Sequence, residues 1–226
     1  MSEPHSFDTI QARLQRRVDT SDRGQQLPAT RAALELTDTV ARLEALVTAL
    51  GSERVLVAAQ VADTQQQGQP CHRLTQVESD GEAVSAAFTC TDTLAGFDKT
   101  ARPVPVSAAE AAQIALLTTG GRMCLDPPGL VRLPRAAVVA LAQGLTWVPP
   151  WKDKQLVNHL CTVAGEAVAY LRLLPTASSV QVVRVGVAAG STRLQVESAL
   201  AKLAADPQLT QAGEKIELQP VVANLA

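Results

Sequence analysis

The chain has 226 residues, of which 46% are hydrophobic and 19% are charged, and its formal net charge is -2 at pH 7. This balance indicates a globular protein of one large or two small domains, and it excludes a strongly basic protein built to bind nucleic acid or an anionic membrane. No apolar run approaches the roughly 18 residues of a membrane-spanning helix, and the polar start is unlike a signal peptide, so we expect a cytoplasmic protein.

The first 33 residues are polar and are predicted to form a flexible N-terminal arm. Ile10, Leu14 and Val18 recur at four-residue steps, which is typical of one short amphipathic helix. That helix could dock loosely on the protein or bind a partner. The apolar residues between Leu34 and Leu50 repeat at helical spacing, so a leading helix should follow the arm.

Residues 34–148 are predicted to form a mixed-sheet α/β domain that begins with this helix. The Val-rich run Arg54–Val61 indicates a buried strand, and the Asp80-Gly81 pair indicates a two-residue hairpin turn. Ser107 and Glu110 have the spacing of a capping box, in which each side chain accepts a hydrogen bond from the other residue's backbone N–H. A helix should therefore begin at Ala108.

Prolines and glycines punctuate the second half of that domain. Two short strands, Met123–Asp126 and Leu130–Leu133, are separated by a Pro-Pro-Gly turn. Pro134 suits the first position of a helix, where its missing N–H costs nothing, and Gly144 suits the left-handed residue that ends it.

The segment from Ala101 to Trp151 carries ARPVPV, LDPPGLVRLPR and ALAQGLTWVPPW in one order at short spacing. In this order and spacing it resembles the SseB-like family of bacterial proteins, whose name comes from an enhanced serine sensitivity phenotype. The resemblance is closest to actinobacterial members, and it does not concern the type III secretion translocator of the same name. Arg54–Val61 is similar to the family's first strand and residues 180–222 to its C-terminal region. The resemblance implies a non-enzymatic protein and supplies no catalytic residues.

Residues 149–226 are predicted to form a small two-layer α/β domain, which makes the whole chain α/β (α+β). Asp153 can cap a helix, and the runs 167–174 and 180–187 are strand-like. Thr192 and Gln195 make a second capping box before another helix. A last strand from Ile216 to Val222 completes the order helix, strand, strand, helix, strand.

The sequence contains no spacing typical of a metal, cofactor or catalytic site, so none of these is predicted. The four cysteines form no C-x-x-C pair and are expected to be reduced thiols; they are Cys71, Cys90, Cys124 and Cys161. Cys71 is followed by His72, but neighbours in a strand point to opposite faces and would not meet as nucleophile and base.

Two groups of residues are candidates for binding a partner. Trp147 and Trp151 bracket two prolines, so the rings stand on a stiff backbone and could anchor a partner; packing between the two domains explains them as well. Asp126, Arg132 and Arg135 surround the Pro-Pro-Gly turn, where they could form a recognition edge or a plain solvated turn.

We therefore predict a non-enzymatic protein that acts through contacts with an unknown protein partner in a regulatory or accessory role. The alternative is an enzyme or small-molecule sensor whose pocket is assembled from scattered residues such as Cys71, His72, Asp126 and Arg132. A deep pocket with converging polar groups would favour the alternative, and an apolar patch near the tryptophans would favour the interaction protein. A permanent assembly would need a much larger apolar face.

Overall fold

The structure is a computed structural model, and it describes residues 22–59, 75–127 and 131–222. Within these ranges the chain forms α-helices, β-strands and one turn of 3₁₀-helix at Pro150–Lys152. The helices are α1 Pro28–Leu34, α2 Thr39–Leu50, α3 Thr91–Phe97, α4 Ala108–Thr119, α5 Arg135–Gln143, α6 Lys154–Ala164, α7 Arg193–Ala204 and α8 Pro207–Ala212. The strands are β1 Arg54–Ala59, β2 Gln76–Ser79, β3 Glu82–Ala87, β4 Arg102–Ser107, β5 Met123–Leu125, β6 Val131–Leu133, β7 Val168–Leu173, β8 Val180–Val187 and β9 Lys215–Val222.

The N-terminal part is a mixed α/β structure, as predicted. Its larger sheet has the order β2-β3-β5-β6, in which only the β3–β5 pair is parallel. Strands β1 and β4 form an antiparallel pair, and Leu56 of β1 bridges to Phe88 just after β3. The alanine-rich face of α4 is fully buried, which lets this helix approach the sheet closely. The core of this part is built mainly from Ala, Val and Leu side chains.

Local signals mark the turn and the helix starts where the sequence predicts them. Asp80 and Gly81 have φ angles of 54° and 75°, the left-handed pair that a tight hairpin between β2 and β3 requires. The capping box of Ser107 and Glu110 is formed at the start of α4. Pro134 is the N-cap of α5 rather than its first helical residue, and Gly144 ends that helix with φ 68°.

The first helix differs from its prediction because Asp38 starts a new one. Asp38 accepts a hydrogen bond from the backbone N–H of Ala41 at 2.7 Å, so the segment between Leu34 and Leu50 is divided into the end of α1 and the whole of α2. Leu36, which fits the helical repeat, lies in the break between them and is exposed.

Part of the predicted flexible arm belongs to the fold. The carboxylate of Glu53 accepts hydrogen bonds from the first-turn N–H groups of Ala29 and Thr30 in α1, at 2.9 and 2.8 Å. Ala33 is buried in the core, and Asp22 forms an ion pair with Arg54 at 2.6 Å. Residues 22–33 are therefore packed, and residues 1–21 lie outside the described ranges.

The C-terminal part is a two-layer α/β structure. Its sheet has the order β7-β8-β9, with β7 antiparallel and β9 parallel to the central strand. Helices α6, α7 and α8 pack on one face, where they bury leucines and valines such as Leu160, Val183 and Leu203 in a second core. Helix α7 ends at Ala204, and the carboxylate of Asp206 accepts hydrogen bonds from the backbone N–H groups of Gln208 and Leu209 at the start of α8.

No helix within the described ranges has both the length and the apolar content needed to cross a bilayer. The predicted domain boundary falls between Trp147, which packs against the first core, and Trp151, which packs against the second. The boundary at residues 148 and 149 stays a prediction.

The second capping box gives a direct test of the sequence argument. Thr192 accepts a hydrogen bond from the N–H of Gln195 and donates its hydroxyl to the Gln195 side chain, so Thr192→Ala should lower the free energy of unfolding by about 1 kcal/mol. Urea denaturation followed by circular dichroism measures the change. Thr162→Ala, in the exposed interior of α6, is the control and should cost nothing comparable. An equal loss in both variants would contradict the capping role.

Candidate functional site

The two tryptophans lie where the two cores meet. Their rings form an edge-to-face pair, with centroids 6.0 Å apart and ring planes at 89°. Trp147 packs against the first core and Trp151 against the second, and both are half-buried. Pro149 and Pro150 between them are buried and lead into the 3₁₀ turn. The contact between the two rings therefore connects the two cores.

A carboxylate of α2 binds two residues near the point where the two cores meet. Trp151 donates its indole N–H to Glu44 at 2.9 Å, and the other oxygen of the same carboxylate pairs with Lys152. One acidic residue thus binds an aromatic donor and a cation that belong to the second half of the chain. The sequence contained no local signal for Glu44, because its partners are more than a hundred residues away.

A shallow apolar groove opens beside Trp147. It has a volume of about 270 Å³ and lies between the end of α2, the start of α4 and the segment that follows α5. Val47, Leu141, Leu145 and the Trp147 ring line it, together with the threonines Thr48 and Thr146. None of the described residues that line the groove carries an ionisable side chain. Such a lining suits the binding of apolar side chains. It offers no ionisable side chain that could act as a general acid or base.

Large apolar side chains are exposed in the segment around Trp147. Leu145, which lines the groove, is 62% exposed, and Val148, which follows Trp147 in the chain, is 55% exposed. The indole N–H of Trp147 is buried and has no hydrogen-bond partner among the described residues. These three residues lie within four positions of one another and form the apolar surface that we call the Trp147 patch, defined as Leu145, Trp147 and Val148.

Arg132 lies in a network of carboxylates and is not the solvated turn residue that the sequence suggested. Its Nη2 donates to Glu82 at 3.1 Å and to Glu214 at 2.6 Å, and its Nη1 lies 3.5 Å from Asp80. The Arg132 side chain is only 12% exposed and that of Glu214 only 11%. Because Glu214 directly precedes β9, this ion pair joins the N-terminal sheet to the C-terminal part.

Burial and the positive charge of Arg132 shift the pKa values of the neighbouring carboxylates in opposite directions. Burial raises the pKa of Glu214 above its ordinary value and outweighs the positive charge of Arg132. At Glu82, which is more exposed, the hydrogen bond from Arg132 lowers the pKa. The network therefore contains one carboxyl with a raised pKa and one with a lowered pKa.

Asp126 and Arg135 each bind a different part of the fold. Asp126 has a left-handed φ of 49°, and its carboxylate accepts from the backbone N–H of Thr89 at 2.8 Å and from the Thr89 hydroxyl at 2.6 Å. Arg135 is exposed and donates to the Gly120 carbonyl at 2.9 Å. Asp126 and Arg132 are thus engaged in separate structural contacts, and the three residues around the turn do not converge on one site.

Other reactive groups in the described residues are also structurally occupied. His159 lies 2.8 Å from Asp206, but no hydroxyl or thiol within those residues is bonded to the imidazole. Burial alone would raise the pKa of Asp206; hydrogen bonds from His159, Leu209 and Gln208 outweigh it and lower that pKa. Burial raises the pKa of the Cys124 thiol to about 11, which makes it a poor nucleophile at neutral pH.

The candidate pair Cys71 and His72 lies outside the described residues. Cys90, Cys124 and Cys161 are unpaired thiols. Within the three described ranges, no group of His, Cys, Asp or Glu side chains is arranged to hold a metal ion. These observations leave the junction of the two cores, with its Trp147 patch, as the candidate functional site.

Comparison with known proteins agrees with the class that the fold defines. A mixed-sheet α/β part is followed by a smaller two-layer α/β part, with an apolar junction between their cores. Residues 30–140 match the family model for the SseB protein N-terminal domain. The match runs from α1 into α5 and supports assigning the chain to the SseB-like family. Neither the curated proteins nor the solved structures that were searched contain a match.

Proposed function

We propose that this SseB-like protein acts without catalysis, in the cytoplasm, by binding a protein partner in a regulatory or accessory role. The observation that carries the proposal is the Trp147 patch, where Leu145 and Trp147 line an apolar groove and the exposed Val148 follows them in the chain. Interface hot spots are enriched in tryptophan and lie in well-packed pockets from which water is excluded. The unpaired thiols fit the reducing compartment that the proposal assumes.

The size of the patch indicates the kind of contact. A groove of about 270 Å³ holds one or two large apolar side chains, whereas a permanent assembly buries a far larger apolar face. The occupant we propose is therefore a short apolar segment of a partner protein. A binding mode of this kind is reversible, which suits a regulatory or accessory role.

The alternative, an enzyme or small-molecule sensor, has less support in the described residues. Its pocket would draw on Asp126 and Arg132, but both side chains are already bonded to other residues of the chain. The groove that is present lacks ionisable side chains and so lacks the charged groups that would orient a small charged substrate.

A paired set of charge substitutions tests the proposal. Leu145→Asp combined with Val148→Asp places two carboxylates on the Trp147 patch, where they would be desolvated by a bound apolar segment. We expect a partner purified with the wild-type protein from the native host to bind the double variant at least about thirtyfold more weakly, which corresponds to about 2 kcal/mol. Isothermal titration calorimetry with that purified partner measures the effect.

The control carries the same change at exposed leucines far from the junction. Leu117→Asp with Leu194→Asp alters two side chains that are 64% and 78% exposed, and this variant should bind like the wild type. Thermal melting of both variants checks that the fold is kept. Equal weakening by the two variants, or none by the first, would remove the patch as the binding site.

A further inference from the structure

One face of the C-terminal sheet is left uncovered by the helices. Helices α6, α7 and α8 all pack on the face that carries Leu171, Leu173, Val183 and Val185. The opposite face is formed by the alternate residues of each strand. Its members on the described strands are Tyr170, Arg172, Val180, Val182, Arg184, Gly186, Lys215, Glu217, Gln219 and Val221. This surface shares no residue with the Trp147 patch.

Two arginines stand side by side on this open face. Arg172 of β7 and Arg184 of β8 are directly opposite each other in the antiparallel ladder, and both are exposed. Like charges in this position destabilise a sheet, because the β-carbons of opposed residues are only about 5 Å apart. Neither guanidinium has an ion pair or a hydrogen bond among the described residues. The sheet thus retains an unfavourable pair without an internal partner.

The register that opposes the arginines depends on a bulge in β7. Between Val168 and Tyr170 the pairing shifts by one residue, so that Tyr170 lies opposite Gly186 and Arg172 opposite Arg184. Bulges re-aim the side chains that follow them. Without the shift, Arg184 would lie opposite a different residue and the two charges would be separated.

A tyrosine ring lies next to the arginines. Tyr170 is 41% exposed and its ring covers Gly186 so closely that a β-carbon on the glycine would lie 2.2 Å from the ring. The glycine therefore makes room for the ring to lie against the sheet. One side of the ring is packed on the backbone and the other is left to solvent, beside the arginine pair.

The glutamate on this face does not pair with the arginines. Glu217 on β9 accepts a hydrogen bond from Gln219 at 2.8 Å and is bonded to neither arginine. The arginine pair is thus a local excess of positive charge in a chain whose formal net charge is -2. A partner that covers this face must supply the negative charge.

We propose that the open face, centred on Arg172, Arg184 and Tyr170, binds an extended acidic segment of a partner protein. Guanidinium groups form paired hydrogen bonds with carboxylates, and the tyrosine ring offers a flat apolar surface for the aliphatic part of the segment. Alternate residues of an extended chain lie about 7 Å apart on one side, a spacing that two neighbouring long arginine side chains can reach.

The same face is less suited to a nucleic acid. Single-stranded nucleic acids are bound by grooves that combine a run of positive charge with several stacking rings. This face has one aromatic side chain, and Glu217 lies on it as well. The two arginines and Lys215 supply a small share of the phosphate contacts on which such binding depends.

The test uses a short fluorescein-labelled peptide of alternating Glu and Ser at low ionic strength, with the complete protein. We expect Arg172→Gln with Arg184→Gln to weaken binding, measured by fluorescence anisotropy, at least about tenfold. The control Arg193→Gln with Lys202→Gln removes the same charge from exposed positions of α7, on the covered side of the sheet, and should change the affinity less than about twofold.

Two further probes separate this surface from nonspecific attraction. A peptide of alternating Gln and Ser should not bind, and a single-stranded thymidine oligonucleotide of equal charge should bind more weakly than the Glu peptide. The proposal is overturned if the Glu peptide does not bind, if both double variants weaken it equally, or if the oligonucleotide binds more tightly through the same arginines.

A stability measurement tests the arginine pair without any ligand. Replacing Arg184 alone by Gln removes the repulsion, so the melting temperature at low salt should rise by about 1 to 3 °C. High salt should abolish the difference because it screens exposed charges. A fall in melting temperature would show that the arginines stabilise the sheet by themselves, and it would contradict the proposal.

Discussion

Trp147→Ala should lower the free energy of unfolding by about 3 kcal/mol, since it removes a large ring that packs against the first core and contacts Trp151 edge to face. Chemical denaturation followed by circular dichroism measures this quantity. The Trp151→Ala variant should be destabilised as well, because it also removes the hydrogen bond to Glu44. In a double-mutant cycle the two changes should be coupled by about 1 kcal/mol, the contribution of the aromatic pair.

Stability and partner binding together decide which role Trp147 has. Trp147→Phe keeps most of the packing and should cost less than half as much as Trp147→Ala. If the Trp147 ring mainly packs the two cores together, partner binding should fall only in those Trp147 variants that are also destabilised. A Trp147→Ala protein with unchanged stability and at least thirtyfold weaker binding would instead make this ring a partner anchor, and it would contradict the packing role.

Arg132→Met should lower the free energy of unfolding by about 3 to 5 kcal/mol at neutral pH, because it leaves the carboxylate of Glu214 buried without its cation. The loss should shrink as the pH falls. Without the arginine, burial raises the folded-state pKa of Glu214 further above the unfolded value, so the folded protein binds a proton more tightly than the unfolded chain. The stabilisation from this proton is fully present at pH values below the pKa of Glu214 in the unfolded chain. It is lost as the pH rises through the pKa of Glu214 in the folded protein.

Two controls separate the charge from the packing of Arg132. Arg132→Met combined with Glu214→Gln removes both charges and should recover most of the loss, since an ion pair replaced by neutral groups is often neutral in stability. Arg135→Met, at an exposed arginine bonded to the Gly120 carbonyl, should cost less than about 1 kcal/mol. If Arg132→Met costs no more than Arg135→Met, or if the double variant is as unstable as the single one, the ion pair does not join the two parts.

The sequence predicted well the elements whose signals lie within a few residues. The capping boxes at Ser107 and Thr192, the left-handed turn at Asp80 and Gly81, and the end of α5 at Gly144 were all placed correctly. In each case the backbone groups of one turn are satisfied by side chains of the same turn. The sequence does not predict the break at Asp38, because the leucine repeat continues across it. A continuous helical repeat is a stronger signal than a single capping residue.

The candidate site could be predicted only in part. The tryptophans were selected for their rings and the stiff backbone between them, and the structure places both at the meeting of the two cores. Asp126, Arg132 and Arg135 were grouped because they are close in sequence, yet each is bonded to a different part of the fold. Closeness in the chain does not determine which way a side chain points once a turn and a ladder have formed.

The sequence by itself determined the α/β class, the resemblance to the SseB-like family and most helix starts, because these depend on local hydrogen bonding and on residue order. Only the tertiary structure decided which residues far apart in the sequence contact one another at these surfaces. Arg132 meets Glu214 across 82 positions and Trp151 meets Glu44 across 107, and the arginine pair on the open sheet depends on a one-residue bulge. Such contacts follow from strand register and from the packing of one core on another, and no short stretch of sequence encodes either.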